Sequence, residues 1–207
     1  MMPRVDITDL TVHYRNSNTT VHALDSIEFW LKENESMGIA GESGCGKTTL
    51  GVSIMRKVQG GDIISGKILL DGENILEMSD SEFDKNIRWK KISMVFQGAM
   101  NALDPVFSIQ QQFNEILKQH GFSGDFNKTI QDVINSVNLD NTVLKKYPHE
   151  LSGGMKQRLV IAMALLLKPK FVVADEPTTA LDVLIQAQII NLLKNLKKKG
   201  MSLMLIS

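Results

Sequence analysis

Apolar side chains along this chain change their spacing several times, and each change marks an element. Residues 4–14 and 22–32 alternate apolar with polar positions and predict two strands joined by a polar turn at residues 16–20. Residues 36–40 form a short apolar run that reads as a buried strand. Residues 47–57 contain no proline and predict a helix with Leu50, Ile54 and Met55 on one face. Gly60-Gly61 breaks the pattern, followed by a glycine-bounded strand at 66–72, a short helix at 80–88 and a strand at 91–97 that ends on the amide of Gln97. From about 98 to 168 strand signals disappear, and helices are predicted at 109–120, 128–138 and 153–168. Residues 171–176 return to a buried parallel strand. Residues 182–199 predict an amphipathic helix with Ile185, Ile189, Leu192, Leu193 and Leu196 on one side. Its last turn carries Lys197-Lys198-Lys199 before Gly200, and cations followed by glycine suit a helix C-terminus. A strand at 202–206 completes the series. The pattern predicts an α/β core at 1–97 and 169–207 interrupted by a helical subdomain at 98–168, with Met100–Pro105 as the joint.

The strand–loop–helix at 36–57 carries the strongest chemistry. Gly41-Glu42-Ser43-Gly44-Cys45-Gly46-Lys47-Thr48-Thr49 matches the phosphate-loop pattern G-x-x-x-x-G-K-[ST] at every fixed position. Glycines at 41, 44 and 46 let backbone N–H groups approach an anion without an intervening Cβ, and the following helix adds its positive end. Lys47 is placed to reach β- and γ-phosphates, and the Thr48 hydroxyl to ligate Mg²⁺. The loop therefore predicts binding of a nucleoside triphosphate.

Composition narrows the setting. Lys+Arg and Asp+Glu are equal at 23, which gives no sign of nucleic-acid binding. No apolar run reaches the roughly 18–20 residues of a spanning helix, and the N-terminal residues lack the apolar stretch of a secretory signal. The single cysteine, Cys45, excludes an internal disulfide and is read as a small residue at a variable loop position rather than as a thiol switch. A cytosolic setting is expected.

Two further stretches complete a constellation. Asp175 and Glu176 sit where a parallel strand emerges, the end at which open α/β sheets place ligands. There an aspartate can help hold Mg²⁺ and the next carboxylate can orient or deprotonate water. Leu151-Ser152-Gly153-Gly154-Met155-Lys156-Gln157-Arg158 places a Ser N-cap and two glycines at a second helix start, a second anion site. Two chains facing head to tail, each capping the other's nucleotide, would use both sites. Tyr14, at the end of the first strand, has an aromatic ring that could stack on a base or simply pack the strand end.

Across nearly its whole length the chain resembles the ATP-binding subunit of ABC transporters. Gly41–Thr49 resembles Walker A and Gln97 the glutamine of the Q-loop. Leu151–Met155 resembles the signature motif, Phe171–Glu176 Walker B with its catalytic glutamate, and Ala180-Leu181-Asp182 the D-loop. The resemblance implies a P-loop NTPase core, a RecA-like ABC ATPase, with an N-terminal antiparallel β part and an inserted helical subdomain. It implies Mg-ATP bound by Tyr14, Gly41, Ser43, Gly44, Cys45, Gly46, Lys47, Thr48, Thr49, Gln97 and Asp175, with Ser152, Gly153 and Gly154 presented to a partner's nucleotide. Thr48, Gln97 and Asp175 would attend the metal, and Glu176, Lys47 and Gln97 the hydrolysis.

Met94–Gln97, Met100–Pro105, Leu151–Arg158 and Glu176–Val183 with Gln186-Ala187-Gln188 are similar to the oligopeptide, dipeptide and nickel importers. That likeness implies a sibling ATPase subunit, or a second copy, as dimer partner. It also implies two membrane permease subunits, an extracytoplasmic solute-binding protein acting indirectly, no nucleic acid, and a peripheral position on the cytoplasmic face of the membrane. Peptides are the expected cargo, ahead of nickel or another small solute; a soluble ABC protein and an unrelated small-molecule kinase are the rival classes. The family places a histidine directly after the strand ending at Ser207, and the chain is read as stopping short of it, which bears on hydrolysis but not on binding.

Overall fold

A computed structural model describes residues 5–15 and 19–207; Arg4 and the centre of the polar turn, 16–18, lie outside them. Two four-stranded sheets form the framework. The first is antiparallel, in the order β2 (Thr20–Leu31), β1 (Val5–Arg15), β4 (Gly61–Leu70), β5 (Glu73–Asn74). The second is parallel, in the order β3 (Ser36–Ile39), β8 (Ser202–Ile206), β7 (Phe171–Asp175), β6 (Ile92–Val95). Helices α1 (Lys47–Ile54), α2 (Asp80–Asn86), α3 (Ile109–Gln119), α4 (Phe126–Ser136), α5 (Gly153–Leu165) and α6 (Val183–Lys198) complete the elements used here. This is the α/β architecture that the sequence pattern predicts, in the P-loop NTPase form that the resemblance implies.

Alternation within the parallel sheet divides the apolar interior in two. Phe171 and Val173 of β7, with Met204 and Ile206 of β8, face a core shared with the antiparallel sheet, α1 and α2. Val172 and Ala174, with Leu203, face the other core, shared with α3, α4, α5 and α6. A strand covered on both faces needs apolar side chains at every position, and all five residues of β7 are buried. The helical stretch between β6 and β7 therefore has no separate interior; Phe113, Ile130 and Leu159 belong to the same cluster as the sheet residues.

Two local differences from the sequence expectation have physical reasons. The strand expected at 66–72 begins at Gly61, so the glycine pair opens the strand instead of interrupting it. Gly61 pairs with Tyr14, and a Cβ there would lie 2.7 Å from the Tyr14 ring. The short strand β5 was not anticipated, although Asp71-Gly72, with φ of 52° and 84°, is the favoured two-residue hairpin turn.

Buried Gln112 fixes the loop after β6. Its Nε2 donates to the carbonyls of Asp104 (3.0 Å) and Phe107 (2.9 Å), and its Oε1 accepts from the Asp104 N–H at 3.0 Å. Gln112→Leu leaves three backbone groups without this partner and is expected to cost about 1–3 kcal/mol in urea unfolding. Amide exchange at Asp104 should accelerate; unchanged exchange there would show that Gln112 does not hold the loop.

Candidate nucleotide site

The site lies along the C-terminal edge of the parallel sheet. Ile39 of β3 pairs with Ile206 of β8, and Ile206 pairs with Asp175 of β7, so these three strand ends form one row. Val95 of β6 pairs with Ala174, which brings Gln97 to the same edge two residues later. The Glu176 N–H donates to Ile206 O at 3.0 Å and the Ser207 N–H to Ile39 O at 3.0 Å, extending the ladder past the strand ends. Residues 41–46 leave this edge from β3 and turn into α1.

Gly46 caps α1 with φ 94°, and a Cβ on it would lie 2.3 Å from the carbonyl oxygen of Ala23 in β2. Both the left-handed backbone and the contact exclude a side chain. Gly41, Ser43, Gly44 and Cys45 are exposed along the loop. The Lys47 ammonium donates to the carbonyls of Gly41 (2.7 Å) and Glu42 (2.8 Å) and lies 3.9 Å from Cys45 Sγ, so its charge sits over the loop. Thr49 is half-buried, and its hydroxyl lies 3.5 Å from the Tyr14 hydroxyl. The Tyr14 ring packs against Gly61, which places it beside α1 on the core side of β1.

Asp175 is fully buried, and neither of its carboxylate oxygens has a hydrogen-bond partner. Burial pushes its pKa above the usual aspartate value, with a smaller push from the neighbouring Glu176 charge; the nearby Thr48 hydroxyl and Lys47 ammonium counter part of the rise. A buried, unpartnered carboxylate is costly unless a cation or donor meets it. With the Thr48 hydroxyl close by, the donor set is all oxygen, which fits a hard cation such as Mg²⁺ that takes few protein ligands.

Glu176 is only half-buried and adopts φ 44°, a conformation non-glycine residues seldom take. Its Oε2 accepts from Gln97 Nε2 at 2.7 Å and from the Thr179 hydroxyl at 2.8 Å. The sequence reading missed Thr179; its position three residues after Glu176 was the available clue.

The Ser152–Gly154 turn packs against the start of α6, near Leu181 and Ile185. Ser152 Oγ caps α5 by accepting from the Met155 N–H at 3.3 Å. Gly153 is exposed, whereas Gly154 is buried with α6 so close that a Cβ would lie 2.9 Å from Ile185. Gly154 is thus a packing glycine as well as part of a helix start. Arg158 adds a second tie, donating to Gln188 Oε1 at 2.5 Å and to Asn138 O at 3.2 Å. Among the described residues no hydrogen bond or ion pair joins Ser152, Gly153 or Gly154 to residues 41–49.

A phosphate loop after the first parallel strand, with a buried aspartate two strands away, defines a P-loop nucleotide-binding domain. A family model described as ABC transporter matches residues 24–179, and the chain belongs to that family. It is 38% identical to the probable peptide ABC transporter ATP-binding protein y4tR of Sinorhizobium fredii, over 98% of this chain and 62% of that protein. It is also 38% identical to the dipeptide transport ATP-binding protein DppD of Escherichia coli, over 100% of this chain and 64% of that one. The chain spans a little under two thirds of these relatives' length. Among solved structures, the ATP-binding cassette MJ0796, dimeric and bound to ADP and Pi, superposes with a TM-score of 0.84 at 28% identity, covering 98% of this chain and 87% of that chain.

A carboxylate whose pKa is raised by folding is bound to its proton more tightly in the native state, so stability falls as pH rises from the ordinary aspartate range through the native value. In metal-free protein, Asp175→Asn should remove that fall and leave the variant as stable as, or more stable than, the parent at pH 7. Thermal unfolding in EDTA across pH 4–8 checks it; a large loss of stability at pH 7 would mean the carboxylate is already compensated.

Proposed function

We propose that this chain is the ATP-binding and ATP-hydrolysing subunit of an ABC importer for peptides. The observation carrying the reading is the buried, unpartnered Asp175 beside Thr48 and Lys47 at the sheet edge. The naming of 36–38% identical relatives as peptide, oligopeptide and dipeptide transport subunits supports the cargo class. ATP would be held by the N–H groups of residues 41–49, by Lys47 on its phosphates and by Tyr14 near its base. Thr48 and Asp175, with Gln97, would hold Mg²⁺, which when bound supplies neutralising charge for the β- and γ-phosphate oxygens.

In this reading Glu176 accepts the proton of the attacking water. Both donors to its Oε2, Gln97 and Thr179, orient the carboxylate, and Gln97 would give up this bond if it held the metal. Ser152, Gly153 and Gly154 serve a partner's nucleotide, which suits the lack of any hydrogen bond between them and the chain's own loop among the described residues. The dimeric state of the solved cassette supports a pair of ATPase subunits, a sibling or a second copy as partner. Apolar Phe96, Val106 and Phe107 lie exposed beside residues 97–105, a surface suited to a short helix from each permease subunit. No helix among the described residues is long and apolar enough to cross a membrane, consistent with a peripheral place on the cytoplasmic face.

Glu176→Gln should lower ATP turnover of the assembled transporter by about 10²-fold or more while ATP still binds. Turnover within twofold of the parent would remove Glu176 from the role of base.

A further inference from the structure

At the opposite edge of the parallel sheet from Asp175, a cavity of about 350 Å³ opens between α4, the C-terminal ends of α5 and α6, and the starts of β7 and β8. Its floor is apolar: Val133 of α4, Leu165 and Leu166 at the end of α5, Leu196 of α6, and Pro169 and Met201 before the two strands. Apart from Pro169 these side chains belong to the main core, and Val133, Leu165, Leu196 and Met201 keep 7–9% of their surface accessible.

Its rim has a different character. Lys168, Lys170 and Lys199 line the mouth against one acidic group, Asp132, on a chain whose formal net charge is zero. The side-chain ammonium groups of the three lysines make no hydrogen bond or ion pair to another described residue. They do answer the negative ends of α5 and α6, which accounts for cations at these positions. It does not account for the apolar floor beneath them. The left-handed turns at Lys168 (φ 55°) and Gly200 (φ 95°) shape this mouth where the chain leaves each helix for its strand.

An apolar pocket of a few hundred Å³ with a few charged groups at one end is how proteins hold amphiphiles. We propose that this cavity binds a medium-chain fatty-acid anion, its carboxylate among Lys168, Lys170 and Lys199 and its chain against Val133, Leu165, Leu196 and Met201. At roughly 30 Å³ per water-sized group, the volume suits a chain of about ten carbons. The mouth joins α4 to the ends of α5 and α6, so an occupant bridges the helical stretch and the sheet.

The test is titration of the delipidated, tag-free chain with decanoate below its micelle concentration, read by calorimetry and by the Met201 methyl resonance. Saturable 1:1 binding that shifts Met201 is expected, with no such binding of decyltrimethylammonium. Combined Lys168→Glu, Lys170→Glu and Lys199→Glu should weaken decanoate at least tenfold, and Thr129→Trp, at the rim on α4, should block it without touching the lysines. Absent or non-saturable binding, equal binding of the cationic amphiphile, or undiminished binding by both variants would overturn the proposal.

Discussion

One buried carboxylate organises this molecule. Asp175 ends a strand buried on both faces, and the pairing of β7 with β8 carries its carboxylate out of water, where the nearby Thr48 hydroxyl and Lys47 ammonium only partly offset its burial. The same register that buries it sets Ile39 and the phosphate loop on one side and Gln97 on the other. The unfavourable burial and the juxtaposition thus have a single cause, the alignment of parallel strand ends. A site built this way has its loops anchored on the ends of adjacent sheet strands, which holds its groups in fixed relation.

Continuity of packing links that edge to the rest of the chain. The helical stretch shares its core with α6 and one face of the sheet, so α3, α4 and α5 have no interior of their own to move with. At the start of α5 the link is tight: Gly154 meets Ile185 and Arg158 meets Gln188. Because α6 begins at Val183, a few residues after Glu176, the Ser152 turn and the strand end bearing Asp175 are tied through one helix. Displacement of either is expected to be felt by the other.

Much of this was legible in the sequence, and for identifiable reasons. Strands buried on both faces, such as 171–175, and helices with one apolar stripe, such as 183–198, announce themselves by composition and period. The phosphate loop is readable because only glycine satisfies Gly46, whose backbone is left-handed and pressed against Ala23. What escaped depends on partners far along the chain. The 2.7 Å bond from Gln97 to Glu176 joins residues 79 apart, and nothing local to either marks it. Gln112 looks like an ordinary surface glutamine until the loop at 104–107 folds over it. Likewise a glycine pair reads as a break until Tyr14 is seen lying on Gly61, one strand away.

The most direct measurement is equilibrium binding of ATP to this chain with and without Mg²⁺, in the parent and in Lys47→Ala. The account expects binding that Mg²⁺ strengthens and that loss of the Lys47 ammonium weakens at least tenfold. ATP binding indifferent to both would contradict it, because neither the phosphate loop nor the buried carboxylate would then be meeting the nucleotide.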